Sequence, residues 1–197
     1  MRKLLIFGVL LLTVVSTSQA ALVPVDFSTE FVGYELDLTY GIVENVFSGA
    51  IGGISVRSAA YSNDSSYVYL YQVINSNVTG LYRMTADPFA GLIDDSVMGY
   101  VNGGEPDSFV SGGVAIDFVT ANIGPWGPVA GFDFALPINE ISAVMFIKSN
   151  LPPGEIYSEV KNGRTVSGTV LGAVPEPATV CLFGLGALGL LRRRKNV

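Results

Sequence analysis

The chain has 197 residues, a formal charge of −6, one cysteine and no histidine. The missing imidazole removes the usual general base of serine and cysteine hydrolases and the commonest transition-metal ligand, and a lone thiol excludes an internal disulfide or a thiolate metal cage. The average charge hides a segregation: six of the eleven cations lie at the two ends, and residues 21–174 hold five cations against sixteen acids, a local charge of −11 that excludes a nucleic-acid surface.

The first twenty residues form a secretory signal peptide. Arg2 and Lys3 precede an apolar run over residues 4–15, and Ser18-Gln19-Ala20 offers small side chains for cleavage. The cut is expected between Ala20 and Ala21, after passage through the Sec translocon and by signal peptidase.

Residues 21–173 read as strands, with candidates at 35–45, 53–61, 66–75, 80–86, 96–101, 113–119, 130–135, 140–148 and 165–173. Gly, Pro, Asn and Asp break them at the spacing of a β-sandwich, and no stretch sustains a helical period. The clearest strand is "SYVYLYQVIN". Tyr67, Tyr69, Tyr71 and Val73 share one face; Val68, Leu70, Gln72 and Ile74 share the other. Two apolar faces predict a central strand. The turn residues "NSNVTG" predict that segments 61–75 and 80–86 belong to one antiparallel meander. The expectation is a single mainly β domain, an antiparallel sandwich of jelly-roll type.

Candidate sites in this span have competing readings. Tyr67, Tyr69 and Tyr71 could form a sugar-stacking platform, although packing across strands accounts for them more simply. Trp126, in "IGPWGPV", is either an exposed ligand anchor or a plug at the end of the sandwich. Asp94, Asp95, Glu105 and Asp107 could ligate calcium, but they lack the spacing of a dedicated loop. A glycoside hydrolase needs only two carboxylates, and no pair nominates itself. Asn63-Asp64-Ser65 and Asn77-Val78-Thr79 read as turn residues. No cofactor is expected.

The chain ends in three chemically distinct parts. Pro175 and Pro177 make Val174-Pro175-Glu176-Pro177 a stiff extended neck. Residues 178–191 carry no charge and no polar face, and include Cys181. As a helix they span about 21 Å, short of the roughly 30 Å hydrocarbon core, and cationic stems at the end extend that reach by snorkelling. Arg192, Arg193, Arg194 and Lys195 act as the membrane stop and stay cytoplasmic by the positive-inside rule.

Together the neck, the short apolar segment and the terminal cations over 174–197 resemble the PEP-CTERM sorting signal of exported bacterial proteins. The resemblance implies processing by exosortase, a membrane-embedded enzyme resembling cysteine transpeptidases, with Val174, Pro175, Glu176 and Pro177 as residues acted upon. It also implies transient anchorage in the inner membrane by a short transmembrane helix, then transfer to the cell surface or exopolysaccharide matrix. "YVYLYQVINSNVTGLYRM" and "INEISAVMFIKSNLPPG" are loosely similar to exported domains that precede such tails, and that similarity carries no activity. The resulting expectation is a non-enzymatic surface protein. The alternatives are a carbohydrate-binding module and, further off, a carboxylate-based glycoside hydrolase.

Overall fold

Alternating tyrosines and aliphatic residues build strands at 67–75, and both faces of that strand need cover. The computed structural model describes residues 22–49, 52–63, 65–76, 80–87, 89, 97–124 and 127–175. In chain order its elements are a helical turn α1 (Phe27–Glu30), β1 (Glu35–Leu36), β2 (Ile42–Val46), β3 (Ser48–Gly49), β4 (Ile54–Ser62), β5 (Tyr67–Asn75), β6 (Leu81–Asp87), β7 (Met98–Val101), β8 (Ile116–Gly124), β9 (Gly127–Leu136), β10 (Val144–Ser149), β11 (Pro153–Lys161) and β12 (Thr165–Ala173). The first sheet runs β1-β4-β5-β10-β7, with β2 also on β4. The second runs β3-β12-β11-β6-β9-β8. Every strand pairing within these sheets is antiparallel.

The two sheets share one core. Tyr69, Tyr71 and Val73 of β5 join Val56, Met145, Met84, Phe132, Phe134, Val160 and Val170 there. The opposite face of β5, with Val68 and Leu70, belongs to a second cluster with Tyr61, Val144, Phe146, Phe27, Phe31 and Phe109. The first sheet is therefore buried on both sides, as its doubly apolar central strand requires. Cover comes from α1 and the 102–112 loop. Asp26 caps α1 by accepting from the Thr29 N–H, and Lys148 pairs with Glu30 while lying 5.1 Å from the Phe31 ring centre. The loop is strapped down by Gln72, which is fully buried. Its amide donates to the carbonyls of Val110 (2.8 Å) and Ser142 (3.0 Å) and accepts from the Val110 N–H. Arg57 adds a bond to the Ser108 carbonyl.

The mainly β, two-sheet expectation holds, with local corrections. Segments 61–75 and 80–86 do not form a meander. Strand β5 pairs with β4 and β10, whereas β6 pairs with β9 and β11 in the other sheet. The faces explain it: β6 is inward at Leu81 and Met84 but outward at Tyr82 and Arg83, so it suits a sheet wetted on one side. The stretch 35–45 splits into β1 and β2 around a turn in which Asp37 accepts from Thr39 and Gly41 takes φ +62°. Strand β11 was not expected, and it lies centrally in the second sheet. The expected signal peptide and tail helix lie outside the described residues, among which no helix is long and apolar enough to cross a membrane.

One edge of β12 is closed in an unusual manner. Strand β3 covers it only at Val166 and Ser167. Beyond that, side chains of the first sheet take over. Asn45 donates to the Thr169 carbonyl (2.8 Å), Ser58 accepts from the Leu171 N–H (3.2 Å), and Tyr71 donates to the Leu171 carbonyl (2.6 Å). Burial pushes the Tyr71 hydroxyl well above its ordinary pKa, so it remains a donor. Tyr71→Phe would leave the Leu171 carbonyl without this donor in a dry interior. The expected loss is about 1–3 kcal/mol, read as a lower denaturation midpoint with unchanged m-value; an unshifted midpoint contradicts this role.

Candidate functional site

The exit of the chain from the fold is built by β11 and β12. These strands pair along their whole length, ending at Ala173 opposite Pro153. The next residue stays attached: the Val174 N–H donates to the Pro152 carbonyl at 3.1 Å, and its half-buried side chain packs on the core. Gly154 makes the room, because a Cβ there would lie 2.6 Å from Val174 Cγ2. Pro175 is exposed. Of the expected sorting residues, Val174 is thus docked and Pro175 is clear of the fold. Glu176, Pro177, Arg192, Arg193, Arg194 and Lys195 lie outside the described residues.

The first described residues are tied to β7. Val25 bridges Val101 of β7 in parallel, with its N–H on the Tyr100 carbonyl and its carbonyl on the Asn102 N–H. Running back from Val25, Leu22 heads toward the Met98 end of β7. Met98 registers with Ile147 of β10. Leu22 and Val174 pack on the same core. Ala20 and Ala21 lie outside the described residues.

The proposed sugar platform is corrected. Tyr69 and Tyr71 are fully buried, and their hydroxyls donate across the core to the carbonyls of Leu151 (2.7 Å) and Leu171 (2.6 Å). No pyranose can reach either ring. Tyr67 is half-buried, stacked 6.3 Å from Tyr69. Trp126, Asp94 and Asp95 lie outside the described residues. Glu105 holds its own loop: burial pushes its carboxyl up, but bonds from Ser111 and the Gly103 N–H outweigh this and leave it lowered. Neither Glu105 nor Asp107 belongs to a group of three potential metal ligands among the described residues. Asn63 behaves as a turn residue, its side chain accepting from the Ser65 and Ser66 N–H groups.

A different face carries the exposed aromatics. The outward side of the second sheet shows Tyr82 (47% exposed), Tyr157 (46%) and Phe118 (38%). Between them Arg83 lies flat over Gly131, reaching Asp133 and Thr120, each at 2.8 Å. A Cβ at 131 would sit 2.3 Å from Arg83 Nη2 and 2.5 Å from Thr120 Oγ1, so a larger residue there would displace this arrangement. Burial raises the Asp133 carboxyl, and Arg83 offsets this only in part. Glu159 accepts from the Tyr157 hydroxyl and pairs with Lys161. Asp87, registered opposite Tyr157, has a buried Oδ1 without a hydrogen-bond partner among the described residues. Sequence reading missed this face because its members are scattered over β6, β8, β9 and β11. The one local clue is the adjacent pair Tyr82-Arg83, where β6 shifts register against β9.

Residues 173–195 match the family model of the PEP-CTERM protein-sorting motif. No curated protein and no solved structure matches the chain. The match begins at Ala173, the last residue of β12, so the sorting signal starts inside the fold.

Asp87 offers a pH test of the outward face. Burial first, then the neighbouring Glu159 charge, raises its carboxyl above the ordinary value. A carboxyl that binds its proton more tightly when folded costs stability at neutral pH; that cost fades as pH falls through the folded value and is gone below the unfolded one. Asp87→Asn is therefore expected to raise the denaturation midpoint at pH 7, with the gain shrinking to nothing near pH 3. A gain of equal size at both pH values would refute this.

Proposed function

We propose that this is a non-enzymatic exported β-sandwich, anchored briefly in the inner membrane by residues 178–191, processed by exosortase at its Pro-Glu-Pro neck, and delivered to the cell surface or the exopolysaccharide matrix. The carrying observation is the sorting motif at 173–195, which implies an exported, exosortase-processed chain. Its position supports the reading, since the neck follows the last strand directly and faces solvent at Pro175. The signal-peptide pattern at residues 1–20 and the acidic −11 body fit an exported protein.

A carbohydrate-binding reading is the second. It moves from the buried tyrosines to Tyr82, Tyr157 and Phe118, which share one exposed face. Matrix polysaccharide retained on the immobilised wild-type protein, and lost on Tyr157→Ala, would support it. Equal retention by both would dismiss that face.

The sorting reading is tested on the neck. Replacing Pro175, Glu176 and Pro177 with alanine removes the rigid extended step and extends helical propensity into it. The expected outcome in an exosortase-bearing host is full-length protein retained in the membrane fraction. Release of that variant at the parental rate would make the tail a plain anchor.

A further inference from the structure

Val174 belongs to two things at once. It is the second residue of the matched sorting segment and, among the described residues, the last one hydrogen-bonded to the fold. From Thr165 to Ala173 each residue registers against β11, Leu171 is tied further by Ser58 and Tyr71, and Val174 bonds to Pro152 and packs over Gly154. Enzymes that act on peptide segments commonly take them extended, through their unpaired backbone groups. The first backbone clear of the fold is Pro175.

We infer that the folded body sets the amino-side boundary of processing: the bond broken lies on the C-terminal side of Val174, the released protein keeps β12 entire, and docking of Val174 slows the cut. This rests on the sorting reading above. In the reaction expected of a cysteine transpeptidase-like enzyme, the thiolate adds to the carbonyl carbon on the amino side of the cut. The C–N bond breaks, the departing amine takes up the proton lost by the thiol, and it stays with the membrane segment. Water or an amine acceptor then displaces the thiolate from the acyl group, returning a proton to it. Neither step can begin upstream of Val174 unless β12 first peels from β11.

Two variants of the full chain separate docking from general stability. Gly154→Ala places a methyl group against Val174 at a position whose φ is ordinary, pushing the neck off the fold. Inserting Gly-Ser-Gly-Ser between Val174 and Pro175 leaves every described contact in place and lengthens the free stretch. In pulse–chase in an exosortase-bearing host, both are expected to shorten the half-time of release about fivefold, in line with a larger open population. Intact mass of the released wild-type protein is expected to place its C-terminus at Val174 or beyond. Release of both variants at the wild-type rate overturns the inference while leaving the sorting reading standing; a C-terminus at Ala173 or earlier overturns both the inference and processing at the Pro-Glu-Pro neck. Retention of every form uncut overturns both.

Discussion

A tyrosine hydroxyl buried in a dry core must find an acceptor, and the fold is arranged around two that do. Tyr69 and Tyr71 leave β5 in one sheet and end on backbone carbonyls at Leu151 and Leu171 in or beside the other. Each bond ties the centre of the first sheet to a margin of the second. An edge strand normally needs a neighbouring strand or water for its backbone groups. Here β12 obtains side chains instead, from Asn45, Ser58 and Tyr71 on three neighbouring strands of the facing sheet. Small residues let this happen at close range. Gly168 lies against the Phe47 ring, and Gly172 against Ile156 and Phe89.

The same economy holds the outer side of the first sheet. Gln72 and Arg57 project from β5 and β4 toward the 102–112 loop and bind its backbone, while Lys148 reaches Glu30 on α1. Phe27, Phe31 and Phe109 supply the apolar contact beneath these polar ties. A chain with one cysteine cannot staple its loops covalently. The buried Gln72 amide and the partly exposed Arg57 guanidinium, bonded to loop carbonyls, serve that purpose, and they work whatever the redox state of the surroundings.

Legibility in the sequence followed locality. Strand β5 was readable because its two faces are written in nine consecutive residues, and β12 because its nine residues carry no charge and include Thr165, Val166, Thr169 and Val170, all β-branched. Strand β11 was not, since Pro153, Glu155, Glu159 and Lys161 suppress the apolar signal. Only in register do Ile156, Ser158 and Val160 appear as its inward set. The pairing of β5 was misjudged because turn residues after Asn75 announce a turn without saying which sheet the chain enters next. Exposure was the other hidden quantity: tyrosines at alternate positions look alike whether they face solvent or a second sheet. The sorting tail was legible because its neck, apolar segment and cations are contiguous. The outward face around Arg83 and Gly131 exists only after four strands are laid side by side.

The long β11–β12 pairing has a mechanical meaning. Val174 continues in line with β12, so tension arriving through the neck runs parallel to the strand. In that direction the ladder is loaded in shear, and all nine registered pairs, together with the Tyr71, Ser58 and Asn45 ties, resist together. Tension applied sideways would unzip the pairs one at a time. A pull on the tail therefore meets the body along the axis in which this ladder is strongest.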